Sequence, residues 1–309
     1  MMTVSPVLAA GTGTGLSWNI GSDIGQLLAF HFMVNAIRAG TITAVAAGVI
    51  GWFMVLRRQS FAGHTLAIVA FPGASGAIWL GISAAFGYFG FCIAAALLIA
   101  AVPRTADARG FSEESAVIGT VQASALACGF LFVSLYKGFL DGITGLLFGS
   151  FLGVTDSQVR ILLIVAVAAL VVLAVIGRPL FFASVDPAVA AARGIPVRVL
   201  SVIFLVLLGV VAAEVSQITG ALLVFALLVM PAAAAQQLTV RPAVSLLLTV
   251  GIAVPVTWLG LGIAYFSPYP VGFFITTLGF AAYVSAAGSR LLSGRIARRP
   301  AAFSRAVGA

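Results

Sequence analysis

The chain has two histidines in 309 residues, His31 and His64. One of them opens an apolar segment just behind a basic pair: Arg57-Arg58-Gln59-Ser60-Phe61-Ala62-Gly63-His64, running on to Phe71-Pro72-Gly73. An ionisable side chain in a membrane helix is costly and normally faces the bundle interior or a water-filled path. His64 is therefore the candidate pathway residue, with Ser60 and Gly63 shaping the entry to its helix. Met54, Cys92, Cys128, Met230 and Glu214 are further donors within apolar stretches, but their spacing unites none of them. Glu214 is the acid nearest a span's interior, and the pattern leaves two readings open: part of an outer vestibule, or a solvated helix end.

Other chemistries fail on their spacing. A phosphate loop needs a Gly-rich turn running into Gly-Lys and a hydroxyl residue. The single lysine, Lys137, stands between Tyr136 and Gly138, so this chain carries no such ATPase motif. Gly73-Ala74-Ser75-Gly76 fits a serine-nucleophile pattern, which needs a histidine to take the serine proton. Both histidines precede Ser75, and His64 lies about three helical turns away along the same segment. The His-Glu-x-x-His signature of zinc proteases is absent.

Composition sets the class. Hydrophobic residues make up 62% of the chain and charged residues 8%, with mean hydropathy +1.19. Soluble domains carry roughly 25% charged residues, so this chain cannot present a solvated surface all round and is read as an integral membrane protein, partnered by the lipid bilayer. Its net charge of +8 is carried by arginines set between apolar segments. That is the pattern of topology signals and anionic-headgroup contacts, and it argues against a nucleic-acid partner. The stretch up to Leu28 lacks a basic n-region and does not read as a secretory signal.

About 20 apolar residues span a bilayer, and nine segments qualify: 35–56, 63–84, 86–102, 116–135, 159–176, 197–213, 218–238, 244–266 and 271–292. With Arg57 and Arg58 cytoplasmic, alternation places 13 of the 16 basic residues inside and leaves Arg38, Lys137 and Arg160 outside. The positive-inside bias thus predicts an outside N-terminus and a cytoplasmic C-terminus. Residues 141–153 are apolar but too short to span. Their Gly145, Gly149 and Gly153 repeat every four residues, which suits either a re-entrant piece or a surface helix. Pro72-Gly73, Pro231 and Pro255 fall inside predicted spans, and such breaks are tolerated where neighbours or a cavity satisfy the freed carbonyls.

Between the fifth and sixth spans, Asp186 is a good N-cap, Pro187 suits the first helical position and Gly194 suits a left-handed stop. The Ala-rich turns between them, with Ala190 and Ala191, predict a short cytoplasmic helix fit to sit in a groove on another protein, or a plain connector.

These stretches resemble the membrane subunits of ATP-binding-cassette importers for divalent transition metals, the zinc, manganese and iron permeases. The resemblance rests on 56–63 with Pro72-Gly73, on 147–154, on Asp186-Pro187 with Ala190, Ala191 and Gly194-Ile195, and on 220–224 with Pro231-Ala232-Ala233 and Ala235. It runs from about Phe32 to Ser289. It implies an all-α bundle of eight or nine spans, with a lead-in over 1–30, a transmembrane permease domain over 31–293 and a basic cytoplasmic tail over 294–309. It implies that 186–194 is the coupling helix docking on a separate ATPase. ATP and Mg would be bound by that ATPase, and no cofactor by this chain. It also implies a second permease copy, an extracytoplasmic metal-binding protein and a plasma-membrane location. In one respect the chain departs from the family. Where the family's second span places an Asp and then a His one turn later, this chain has His64 and Ile68, so the carboxylate is missing. An ion-coupled secondary transporter, a non-metal substrate and a membrane scaffold are the rival readings.

The charge pattern predicts topology directly. A green fluorescent protein fused after Arg299 is expected to fluoresce, and an alkaline phosphatase fused after Ser267 to be active. The reverse pair of signals would invert the assignment.

Overall fold

The computed structural model describes residues 20–101, 108–136, 145–147, 149, 153–221 and 224–298. These residues form helices and connecting turns, with no strand among them. In chain order the helices are α1 (Ile20–Ala29), α2 (His31–Leu56), α3 (Ser60–Trp79), α4 (Ala84–Ala101), α5 (Ala108–Leu135), α6 (Asp156–Val185), α7 (Pro187–Ala192), α8 (Val197–Thr219), α9 (Val224–Leu238), α10 (Pro242–Tyr265) and α11 (Val271–Arg298). Eight of them are long and apolar enough to cross a membrane, and α9, at 15 residues, is a shorter apolar helix.

The backbone explains why helices are the solution. Inside a bilayer every N–H and C=O must be satisfied within the segment, and these segments are rich in Ala, Leu and Val. Helices α2, α3 and α8 are mostly enclosed, whereas α5 and α6 are largely exposed along their lengths. The enclosed three form the centre. α3 packs on α4, α5 and α8; α2 packs on α6, α8, α9 and α10; and α11 closes over α9 and α10.

The contacts sort the connections into two ends. At one end His31 Nε2 lies 3.0 Å from Asp156 Oδ2, and Asn35 donates to the Val154 carbonyl at 3.3 Å. At the other, Arg57 reaches Ser184 and Ser201, and Arg290 donates to Gln237 Oε1 at 2.6 Å. This grouping agrees with the alternation read from the basic residues.

Three boundaries differ from the sequence expectation. The seventh span does not begin at Ile218: α8 continues through Thr219, and the chain turns at Gly220 with φ +77°. Hydroxyls hold that end of α8, because Ser216 donates to the Ala212 carbonyl and Thr219 to the Val215 carbonyl. The Ala221 N–H then leaves the helix to donate to the Leu146 carbonyl at 3.1 Å. The fifth span does not stop at Ile176, since α6 runs on through Arg178 and Pro179 to Val185, 30 residues in all. The last helix continues to Arg298, into the expected tail. Of the short apolar segment 141–153, residues 145–147 form a helical turn, and Leu146 and Leu147 pack on a cluster containing Phe71, Tyr88 and Ala221. Residues 141–144, 148 and 150–152 lie outside the described residues, as do Lys137, Arg104 and the termini 1–19 and 299–309.

The backbones of α3 and α4 approach closely. A Cβ on Gly73 would collide with the Gly87 carbonyl oxygen, and one on Gly87 with the Gly73 carbonyl. Gly90, by contrast, faces open space. Gly73→Val is expected to destabilise the bundle by about 1–3 kcal/mol through overpacking, seen as a lowered melting temperature in detergent. Gly90→Ala is expected to leave the melt unchanged or slightly raised.

Candidate functional site

α2 ends in a tight, fully bonded stop. The Arg58 N–H bonds to the Val55 carbonyl and the Gln59 N–H to the Met54 carbonyl, and Arg58 itself takes φ +57°. This is the double-bonded stop in which the left-handed residue is usually glycine. An arginine there costs about 1 kcal/mol or more. The step sends the chain straight back into α3, whose first residue is Ser60.

His64 follows one turn later and is half-buried. Its ring meets the Phe225 ring of α9 edge-on, with centroids 4.9 Å apart. Its Nδ1 is buried with no hydrogen-bond partner among the described residues. Gly63 lets this turn close on α2, because a Cβ there would strike Met54 Sδ. The neighbouring polar groups are committed elsewhere: Thr65 Oγ1 donates to Gln122 Oε1 of α5 at 2.9 Å, and Cys92 Sγ to the Leu66 carbonyl at 3.3 Å. Cys92 and Gly209, whose backbones adjoin, lie near the middles of α4 and α8. The turn carrying His64 therefore sits well inside the bundle. Ile68, the residue one turn beyond, is buried and apolar.

The other candidate donors are not brought together. Met54 lies under Gly63, Met230 packs against Gly279, Cys128 is exposed on α5, and Cys92 is enclosed. No group of three His, Cys, Asp or Glu side chains able to hold a metal occurs among the described residues. Pro72 interrupts α3, and the Ser75 hydroxyl donates to the Pro72 carbonyl at 3.2 Å. That serine serves its own helix and has no histidine beside it. Glu214 is not a solvated helix end: α8 extends more than a turn past it, and its side chain is 0% exposed.

The short helix α7 carries the expected caps. Asp186 accepts a hydrogen bond from the Val189 N–H at 3.0 Å, and Pro187 occupies the first turn. Gly194 has φ +78°, with its N–H on the Ala191 carbonyl and the Ile195 N–H on the Ala190 carbonyl. Ala190 is enclosed, while Ala188, Val189, Ala191 and Ala192 face outward.

The residue that sequence reasoning undervalued is Arg57. Read as a topology signal, it is also a structural tie. Its Nη1 donates to Ser184 Oγ at 3.0 Å, its Nη2 to Ser201 Oγ at 2.7 Å and its Nε to Gln59 Oε1 at 3.2 Å, and the guanidinium lies over the Phe204 ring at 5.3 Å. Ser184 closes α6 just before α7, and Ser201 lies in the first turns of α8. One guanidinium therefore links the α2–α3 step to both flanks of α7. Only the presence of serines at 184 and 201 hints at this in sequence, and nothing local pairs them with an arginine more than 120 residues away.

Such an arrangement, with helices long and apolar enough to cross a membrane around a buried centre, a shorter apolar helix after a glycine break and a short capped helix at one end, is that of a multi-pass membrane protein. The comparisons agree. Residues 29–289 match the model of the ABC 3 transport family, and the chain belongs to that family. It is 30% identical over 249 residues to the manganese import system permease protein ScaB of Streptococcus parasanguinis, covering 81% of this chain and 87% of that one. It is 28% identical to the chelated iron transport system membrane protein YfeC of Yersinia pestis, covering 81% and 83%. Among solved structures, PsaBC from Streptococcus pneumoniae in complex with Fab matches with a TM-score of 0.76 at 26% identity, covering 86% of this chain and 95% of that one.

Arg57→Lys keeps the charge but loses the planar fork that reaches two hydroxyls at once. It is expected to destabilise the fold by about 1–2 kcal/mol, measured by thermal melting. Ser201→Ala is expected to cost less.

Proposed function

We propose that this chain is the permease subunit of an ATP-driven importer of a divalent transition metal, manganese, zinc or iron, across the plasma membrane. The observation that carries this is the family match over 29–289, supported by relatives named for manganese and iron transport. The chain works with a second permease copy. ATPase subunits, which bind ATP and Mg, dock on the cytoplasmic face, and an extracytoplasmic metal-binding protein delivers the ion. The N-terminus lies outside and the C-terminus in the cytoplasm.

In this reading α7, with its Asp186 and Gly194 caps and the outward face around Ala191, is the coupling element on which the ATPase acts. Rigid-body movement of α7 carries the ends of α6 and α8 with it. Arg57 passes that movement to the α2–α3 step, and so to the helix bearing His64. Ser60 and Gly63 shape the entry of that helix, while Pro72 and Gly73 mark where it is weakened by a missing backbone hydrogen bond and pressed against α4. His64 offers a neutral imidazole nitrogen to the passing ion, with Phe225 on one side to limit the water around it. The metal is cargo, so the site has to bind weakly enough to release it.

The test is accumulation of manganese, zinc, iron and cobalt in cells expressing the chain with its ATPase and binding partners, for wild type and His64→Ala. The expected result is ATP-dependent uptake of one ion, reduced at least tenfold in His64→Ala. If the assembled complex hydrolyses ATP and accumulates no metal, the metal reading is wrong. Uptake that persists without the ATPase would instead favour an ion-coupled transporter.

A further inference from the structure

Glu214 and Gln217 lie one turn apart on one face of α8. The Glu214 side chain is completely enclosed, and neither carboxylate oxygen has a hydrogen-bond partner among the described residues. The Gln217 amide nitrogen is likewise buried and unpartnered. Gln217 also lines a cavity of about 620 Å³ whose other walls include Ser83, Tyr88, Gly145, Thr155 and Gln158. That cavity lies at the end of the bundle where His31 meets Asp156, between the α3–α4 turn, the start of α6 and the last turn of α8. Glu214 is one turn deeper than its Gln217 wall, on the way toward the level of Leu66 and His64.

An enclosed carboxylate without a partner is unusual, because it forfeits its hydration for nothing, and one turn away the Gln217 amide nitrogen is buried and unpartnered as well. An acid held in the membrane interior is neutralised by a proton, a cationic side chain or a metal, and no hydrogen-bonding cationic side chain reaches Glu214 among the described residues. The donors on offer are all oxygens: a carboxylate and, once the amide is turned about its last torsion, a carbonyl. The two ends of such an amide are interchangeable by a simple flip. Oxygen sets of this kind suit manganese, calcium and magnesium better than thiolate- or imidazole-seeking ions.

We propose that Glu214 and Gln217 form an oxygen-donor subsite for a hard divalent cation at the floor of the outer cavity, through which the ion passes before it reaches His64. The subsite supplies from α8 the carboxylate that position 64 of α3 lacks. The inference rests on the metal-importer reading above, and it assigns Glu214 a negative charge on the path.

The test uses the purified permease–ATPase complex in lipid, with manganese chloride as the probe. Binding is read as the manganese-induced rise in melting temperature and transport as manganese uptake, for wild type, Glu214→Gln, Gln217→Leu and His64→Ala. Glu214→Gln preserves shape while removing the charge. It is expected to fold at least as stably as wild type without metal, to lose the manganese-induced rise and to lower uptake at least tenfold. Gln217→Leu is expected to need several-fold more manganese for the same rise, and His64→Ala to keep the rise while losing uptake. A Glu214→Gln complex with the wild-type melting response and uptake would overturn the subsite, as would a wild-type complex with no manganese response. A Glu214-dependent rise in a complex that transports no metal would uphold the subsite and refute the importer reading.

Discussion

Once helices are in a bilayer, apolar side chains gain little by moving from lipid to protein, so close packing has to hold them together. This fold meets that constraint with glycines at its crossings. Gly73 and Gly87 bring α3 and α4 into backbone contact, Gly51 lies under the Leu228 carbonyl where α2 meets α9, and Gly209 abuts Cys92 where α8 meets α4. The helices so joined include the enclosed ones.

Polar groups are spent sparingly on top of that packing. Most hydroxyls in the spans donate to a carbonyl one turn back in their own helix, as Thr43, Thr249 and Thr257 do. Among the described residues, side-chain bonds between helices are few and concentrated where elements must hold register. Trp52 donates to Ser245 and ties α2 to α10, Thr65 meets Gln122, and Arg57 gathers the ends of three helices. Against this economy the buried, unpartnered Nδ1 of His64, both oxygens of Glu214, Nε2 of Gln217, Oδ1 of Asn35 and Oγ1 of Thr276 are exceptions among the described residues.

Sequence revealed the parts of the structure that are written locally. Long apolar runs gave the spans, basic residues sorted the loops into two ends, and Asp186, Pro187 and Gly194 marked the limits of α7 because caps act within a turn. It failed where the decisive partner is distant in the chain. The end of α8 at Thr219 depends on a turn around Leu146, and hydropathy runs smoothly across that break. The continuation of α6 past Ile176 lay beyond the span that hydropathy gave, and Arg178 and Pro179 sit within the helix. The burial of Glu214 followed from how far α8 extends, and the role of Arg57 from serines on two other helices.

The length of α6 has a mechanical meaning. At about 1.5 Å per residue its 30 residues measure about 45 Å, against a hydrocarbon core of about 30 Å. Tilting alone would require an angle beyond the usual range of 0–40°. Part of α6 must therefore stand clear of the hydrocarbon as a stalk, and α7 is mounted on its tip. Pro179, which removes one backbone hydrogen bond, weakens that stalk about two turns before α7.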